Sequence, residues 1–98
     1  MFDITITVGH NVGAVEKLTT PAICETFERL AGVEAYTAIP CRGMWRGMAE
    51  ASTRLEVSAI GPDVLERIRE ALPVMARELE QEAIAVTVRE SAFELVYA

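Results

Sequence analysis

Hydrophobic and polar residues alternate over the first eight positions of the chain. The apolar positions are Phe2, Ile4, Ile6 and Val8, and polar residues separate them. A period of two with β-branched residues is typical of a half-buried strand. We expect this strand to stop at the run of residues 9–13 and a loop to extend from there to about residue 19.

The spacing of apolar residues then changes to that of a helix. Thr20 and Pro21 predict the helix start, with Thr20 as the N-cap and the proline in the first turn, where no backbone donor is needed. Gly32 predicts its end, because glycine is the usual residue just after a helix. The apolar positions between them are Ile23, Phe27 and Leu30.

Two further strands and a second helix are predicted in the middle of the chain, at residues 33–46, 50–60 and from 62 onwards. Pro40 cannot donate to a strand ladder, which places the second strand at a sheet edge. Gly43 predicts a bulge or a close backbone approach in the same strand. Pro73 lies within the apolar stripe of the second helix, so we expect a kink or a break near residue 72.

A fourth strand closes the pattern, with Ile84, Val86 and Val88 facing inward. Phe93, Leu95 and Tyr97 continue the alternation with opposite parity, which predicts a bulge or tight turn near residues 90–92. The order β-α-β-β-α-β predicts an α+β, ferredoxin-like sandwich: an antiparallel sheet with two helices on one face. We interpret residues 1–98 as a single domain.

Composition and charge narrow the classes of protein. Apolar residues make up 51% of the chain and charged residues 24%, as in an ordinary soluble domain. No apolar run approaches the ~20 residues of a membrane helix, and the first residues lack the features of a signal peptide. We therefore predict a cytoplasmic protein without membrane contact. The chain has nine basic and fifteen acidic residues, and the basic residues are dispersed along the sequence. This distribution argues against a nucleic-acid partner.

The cysteines and the histidine give little support for metal or redox chemistry. Cys24 and Cys41 form no C-x-x-C motif, so two reduced thiols are predicted, with a disulfide as the alternative. One histidine is too few for an ordinary structural zinc site, and no motif indicates a cofactor. His10 is either a general base or an exposed or capping residue. A nucleophile pair with Cys41 lacks any supporting motif.

The predicted hairpin concentrates residues suited to recognition. With a turn at residues 47–49, Trp45 and Arg46 lie opposite Glu50, and Arg42 lies close by. This cluster predicts a clamp for a small anion or a partner's carboxylate, because arginine suits bidentate recognition. In the alternative, Trp45 covers the hairpin end and Arg46–Glu50 is a surface ion pair worth about 0–1 kcal/mol. Arg54 is expected on the open face of the sheet. Three interpretations of this face stay open: it is exposed to solvent, it forms a subunit interface, or it forms a binding groove.

Short motifs in the second half carry a resemblance. A G-x-W-R hairpin, a glutamate with a following serine, and a Gln-Glu helix end before a hydrophobic strand occur between residues 40 and 88. This stretch resembles a family of small uncharacterised bacterial proteins, a domain of unknown function. The residues involved are Gly43, Trp45, Arg46, Glu50, Ser52, Gln81 and Glu82. The resemblance implies a fold and a bacterial or phage setting, and no known activity.

The long edge hairpin and the absence of a catalytic motif lead to one interpretation with two rivals. The chain is read as a non-enzymatic module that forms a homodimer or binds a partner, with room for a small polar or anionic ligand. The first rival is a small cofactor-free enzyme acting on an organic substrate, which requires His10 and the arginines to converge on one pocket. The second is a regulatory module that binds a metabolite.

Overall fold

The computed structural model describes all residues from 1 to 98, with six strands and two helices in chain order. These are β1 (Phe2–Gly9), β2 (Asn11–Val12), β3 (Val15–Glu16), α1 (Thr20–Ala31), β4 (Thr37–Trp45), β5 (Met48–Ile60), α2 (Pro62–Glu78) and β6 (Ala85–Glu90). The main sheet is antiparallel with the order β4-β5-β1-β6. The predicted ferredoxin-like α+β architecture is confirmed. The short β2–β3 hairpin was not predicted and occupies the expected loop.

The hydrophobic core lies between one face of the sheet and the two helices. Alternate residues of β1 and β5 point into it, as their period of two predicts. The fully buried side chains are Ile4, Ile6, Val8, Ile23, Phe27, Leu55, Ile68, Met75 and Thr53. Phe27 meets Tyr36 edge to face at 5.4 Å. Burial and a hydrogen bond to Glu28 raise the pKa of the Tyr36 phenol.

The first helix begins one residue earlier than predicted. Thr19 is the N-cap, and its Oγ1 accepts a hydrogen bond from the backbone N–H of Ala22. Thr20 is the first helical residue, so its side chain is free for another role. Gly32 ends the helix in a left-handed conformation, as predicted, and Arg67 of α2 donates to the carbonyl of Ala31.

The second helix is not split at Pro73. It continues from Pro62 to Glu78 with the proline on its exposed side. Arg29 of α1 donates to both carboxylate oxygens of Glu78 at 2.6 Å and ties the two helices together. This contact raises the pKa of Arg29.

The hairpin of β4 and β5 has a tighter turn than predicted. Trp45 pairs with Met48, so Arg46 and Gly47 alone form the turn, both with positive φ. This is the geometry of a two-residue turn that fits the twist of a β-hairpin. Pairing is continuous along the hairpin, so the bulge predicted at Gly43 is absent. Pro40 lies on an edge strand, as expected.

A bulge does occur, at the other end of β5. Ala59 has a φ of 57°, and the register between β1 and β5 shifts between Phe2 and Ile4. Asp3 Oδ1 accepts a hydrogen bond of 2.9 Å from the Ala59 N–H and holds this irregular backbone. That bond, with a second from Ser91, lowers the pKa of Asp3.

The last residues do not continue the sheet as predicted. β6 ends at Glu90, and residues 91–98 form no strand. We call residues 91–98 the apolar segment. Its large apolar side chains, Phe93, Leu95, Val96 and Tyr97, are exposed. Even Val86, which pairs with the buried Ile6 on β1, is exposed at this edge.

Candidate functional site

The two-residue turn decides which hairpin side chains share a face. Cross-strand partners point to the same side of a sheet. Trp45 and its partner Met48 lie on the open face, the side that no helix covers, and so do Gly43 and its partner Glu50. Arg42 pairs with Ala51 on the opposite, helix-covered side of the sheet. The hairpin therefore separates Arg42 from the tryptophan and the glutamate.

Glu50 is held at the end of the sheet by its neighbours. Its Oε2 accepts a hydrogen bond of 3.2 Å from the backbone N–H of Asn11. Its carboxylate lies directly over Gly9, where an added Cβ would approach the carboxylate atoms to 2.6 Å. A glycine at position 9 is thus what leaves room for the carboxylate on the open face. The position of Glu50 depends on three separate strands.

Arg46 forms an ion pair other than the predicted one. Its Nη2 lies 2.9 Å from Glu82 Oε1, and its guanidinium carbon lies 5.5 Å from the centre of the Trp45 ring. The predicted pair with Glu50 assumed that these residues face each other across the turn, and Gly43 takes that place. The arginine therefore links the hairpin tip to the segment between α2 and β6.

A cleft of about 190 Å³ opens between the hairpin tip, the β2 region and the α2–β6 connection. We call it the hairpin cleft. Its lining residues are Asn11, Gly13, Trp45, Met48, Glu50, Glu80, Gln81, Glu82 and Ala83. Gln81 Nε2 donates a hydrogen bond of 2.9 Å to the carbonyl of Asn11, and this contact closes one side of the cleft. Glu80 adopts a φ of 54°, which turns the chain back at the end of α2.

The lining of the hairpin cleft is acidic and partly aromatic. Glu50, Glu80 and Glu82 contribute carboxylates, and only Glu82 has an arginine partner. The Trp45 indole and the Met48 thioether supply polarisable surface. Carboxylates and the face of an indole both attract positive charge. The electrostatics of the cleft favour a cation over the anion that the arginine clamp predicts.

The other predicted residues lie outside this cleft. Arg54 is on the open face, four residues along β5 from Glu50, and pairs with Glu56 at 3.1 Å. Arg42 is exposed, and no carboxylate lies within 4 Å of it. The arginines therefore do not converge with His10 on one pocket, as the enzyme interpretation required.

His10 is buried, with 9% of its surface exposed, and so is neither exposed nor a helix cap. Its Nε2 lies 2.7 Å from Thr53 Oγ1, and Thr53 Oγ1 lies 2.7 Å from Thr20 Oγ1. We call these three residues the threonine–histidine network. It sits on the helix side of the sheet at the start of α1. His10 therefore faces away from the hairpin cleft, although its neighbour Gly9 borders Glu50.

Two other features concern metal and membrane chemistry. The structure has no group of three or more histidine, cysteine, aspartate or glutamate side chains that could hold a metal ion. Neither helix has the length and hydrophobicity needed to cross a bilayer. Cys24 and Cys41 are both free thiols.

Sequence reasoning missed part of the cleft. Asn11 and Glu80 contribute a backbone N–H and a carboxylate, and nothing in their local sequence marks them. Gln81 and Glu82 entered only through the resemblance to the uncharacterised family, and both lie beside the hairpin residues. The missing signal is tertiary, because the α2–β6 connection meets the hairpin only in the folded chain.

Comparisons with known proteins reveal similarity in structure alone. No family model matches the sequence, and no curated protein matches it. A phage SAM lyase in complex with S-methyl-5'-thioadenosine matches with a TM-score of 0.73 and 18% identity, covering 91% of this chain and 80% of that one. A phage SAM lyase in the apo state matches with a TM-score of 0.75 and 18% identity, covering 90% of this chain and 78% of that one.

A second kind of solved structure also shares the fold. A DUF3240 family protein from Shewanella baltica matches with a TM-score of 0.61 and 8% identity, over 99% of this chain and 97% of that one. At these identities the likeness establishes the fold. The chain spans most of each structure.

Proposed function

We propose that the hairpin cleft binds a small organic cation that carries a flat aromatic group, the class to which S-adenosylmethionine belongs. The observation that carries this proposal is the joint presence, around one cleft, of an indole and three carboxylates, of which Arg46 pairs with Glu82 alone. A sulfonium or ammonium centre is attracted to carboxylates, and an aromatic base stacks on an indole. A neutral ligand gains hydrogen bonds to the carboxylates but no charge attraction, and an anionic ligand is repelled by them.

Glu50 is the best placed of the three carboxylates. It is the least exposed of them, and its bond to the Asn11 N–H fixes its direction before any ligand arrives. A preorganised group loses less conformational entropy on binding than a mobile one. Glu80 and Glu82 are exposed and add a general negative field at the rim.

The size of the cleft limits how much of such a ligand it encloses. Its volume of about 190 Å³ is below the few hundred Å³ typical of pockets for drug-sized molecules. We expect the cleft to contact the cationic centre and one face of the aromatic group. Modest affinity, in the micromolar range or weaker, follows from this partial enclosure.

The structural neighbours support the same ligand class. One of them is a phage SAM lyase in complex with S-methyl-5'-thioadenosine. A shared fold at 18% identity does not establish a shared ligand, so this support is an analogy. The negative charge of the cleft is the separate reason for expecting a cationic ligand.

Isothermal titration calorimetry with three ligands tests the proposal. S-adenosylmethionine carries the positive sulfonium, S-adenosylhomocysteine lacks that charge, and ATP is an anion with the same base. We expect S-adenosylmethionine to bind about tenfold more tightly than S-adenosylhomocysteine, and ATP to bind most weakly. Equal affinity for the first two compounds, or tightest binding of ATP, would overturn the cationic class.

A matched pair of variants locates the binding site. Glu50→Gln keeps the shape and an acceptor for the Asn11 N–H and removes the charge. Glu66→Gln removes an exposed charge on α2, away from the cleft. We expect the first to weaken S-adenosylmethionine binding about tenfold and the second to leave it unchanged. An equal loss in both variants would mean that the whole-molecule charge, and not Glu50, attracts the ligand.

A second candidate function is cleavage of such a sulfonium compound, and the neighbour's product-type ligand favours it. When the carbon–sulfur bond to the amino-acid chain breaks, its electron pair leaves with sulfur as a neutral thioether, and the carbon forms a new bond to the substrate's own carboxylate oxygen, which closes a lactone. An acidic cleft then holds the product less tightly than the substrate. Incubation of the protein with S-adenosylmethionine and mass spectrometry for S-methyl-5'-thioadenosine tests this. Binding without product formation supports the binding function alone.

A further inference from the structure

The apolar segment exposes large side chains that nothing in its own chain covers. Phe93 is 52% exposed, Leu95 64%, Val96 84% and Tyr97 83%. Isolated exposed apolar residues are common on protein surfaces, but four within five positions form a patch. The only backbone contacts of the segment are at its start, where the Ser91 N–H donates to the Met1 carbonyl and the Phe93 N–H to Ser91 Oγ.

The same residues have the sequence pattern of a strand without a partner. Phe93, Leu95 and Tyr97 occupy alternate positions, which is typical of a strand with one apolar face. The structure assigns no strand after Glu90. A β-strand is stable only when its backbone groups are paired with another strand.

The sheet offers a free edge with matching properties. β4 pairs only with β5, so its outer side carries unpaired backbone groups. Pro40 lacks an N–H and limits continuous pairing to residues 41–45, a stretch as long as residues 93–97. Apolar side chains are exposed at this end of the hairpin as well, at Met44 and Met48.

The charges of the two elements are complementary. Arg42 on β4 is exposed and has no carboxylate within 4 Å, and Glu94 in the apolar segment likewise takes part in no ion pair. Opposite charges across an interface select the partner and its register. Within one chain Arg42 lies on β4 and Glu94 follows β6, and these two strands are at opposite edges of the sheet.

We propose that residues 93–97 of one copy add as a strand to the β4 edge, residues 41–45, of a second copy of this chain. Main-chain hydrogen bonds then supply the pairing, and alternate apolar side chains cover the exposed hairpin tip. Reciprocal addition gives a twofold dimer, and one-way addition gives a ring if the rotation closes and an open fibre if it does not. The interface shares Trp45 with the hairpin cleft, but the exposed segment and the unpaired β4 edge that support it do not depend on the ligand proposed there.

Sedimentation velocity over a concentration series tests the interface with a matched pair of variants. Leu95→Ser removes an apolar side chain from the segment, and Val74→Ser removes an exposed one from α2. We expect the wild-type chain to self-associate, Leu95→Ser to raise the dissociation constant about tenfold or more, and Val74→Ser to leave it unchanged. A monomeric wild-type chain at high micromolar concentration would overturn the proposal, and so would equal effects of both variants.

A charge exchange identifies the edge that is used. Arg42→Glu and Glu94→Arg each place like charges together and should weaken association severalfold, whereas the double variant should restore it. Circular dichroism melting curves check that each variant is folded. Association that is insensitive to Arg42→Glu but lost in Val86→Lys would show pairing through β6 and would contradict the proposal.

Discussion

At the C-terminal end of β1, both faces of the sheet carry polar groups, but the environments of these groups differ. On the helix side, His10, Thr20 and Thr53 are buried or half-buried and bond to one another. On the open face, Glu50 bonds to one backbone N–H and borders a cleft. Gly9 lies against Glu50 on the open face, and the next residue, His10, belongs to the threonine–histidine network. The two environments are therefore one residue apart in the chain.

The difference shows that coverage, and not residue type, decides which polar groups are free for a ligand. The helix α1 covers the network, so its polar atoms must bond to each other, since an unpaired buried polar group is costly. The cleft lies on the open face, and of its three carboxylates only Glu82 forms an ion pair. His10, which sequence alone marks as a candidate base, is therefore buried and bonded to Thr53, and Glu50 borders the cleft that we propose as the ligand site.

The largest expected effect on stability comes from breaking the covered side. Thr53→Val keeps the volume and removes the hydroxyl that contacts both His10 and Thr20. We expect a loss of about 1–3 kcal/mol in the free energy of unfolding, because buried polar atoms lose their partner. Urea denaturation measures it. Thr87→Val on the exposed side of β6 is the control, and a similar loss there would contradict the structural role of the network.

A smaller effect on stability is expected at the Ala59 bulge and depends on pH. Hydrogen bonds from Ala59 and Ser91 lower the folded-state pKa of Asp3 below the ordinary value of an aspartate side chain. The ionised form is therefore favoured by folding, and its contribution is complete above the unfolded pKa and lost as pH falls through the folded one. Asp3→Asn should be less stable than wild type near neutral pH and equally stable in strong acid. A gap that persists in strong acid would refute this cause.

The open face should behave in the opposite way, with function more sensitive than stability. Trp45 is 46% exposed, so Trp45→Ala should lower the free energy of unfolding by less than about 1 kcal/mol. The same change removes the aromatic surface of the cleft and should weaken S-adenosylmethionine binding about tenfold. Thermal melting and calorimetry on one preparation give both numbers. A large destabilisation with unchanged affinity would make Trp45 a purely structural residue.

The smallest expected change in stability is at Gly9. In Gly9→Ala the new methyl group displaces the flexible Glu50 side chain from 2.6 Å, with little cost to the backbone. We expect stability to change by less than about 1 kcal/mol and cation binding to weaken, since Glu50 leaves the Asn11 N–H. Gly43→Ala is the control, because its Cβ meets Ser52 Oγ at an ordinary 3.4 Å. Unchanged binding in Gly9→Ala would show that the position of Glu50 is unimportant.

Most of the fold could be predicted because local patterns determine it. Alternation in β1 and β5, helical spacing in α1 and the glycine at position 32 each specify an element through neighbouring residues. Pro40 correctly identified the edge strand. The expectation that the strand continues beyond residue 90 was wrong. Alternating apolar residues show that a strand would have one apolar face, but they do not show that a neighbouring strand is present to pair with it.

The site could be predicted only in part, since it depends on turn geometry and on contacts distant in sequence. Trp45 and Glu50 were identified and line the cleft. The partner of Glu50 was wrong, because Arg46 adopts a φ of 50° that is uncommon for a residue with a side chain. His10 was assigned to a loop, whereas the alternation of β1 carries it one residue further, onto the helix side.

The most direct test of the account is an NMR titration of isotopically labelled protein with S-adenosylmethionine. The indole N–H of Trp45, the only tryptophan, gives one assignable signal in the cleft, and the backbone amide of Asn11 reports on Glu50. We predict that both signals shift with the ligand, while the amides of Thr20 and Thr53 on the covered side do not. Shifts confined to Thr20 and Thr53, or no shift at Trp45 and Asn11 at millimolar ligand, would contradict the assignment of ligand binding to the open face.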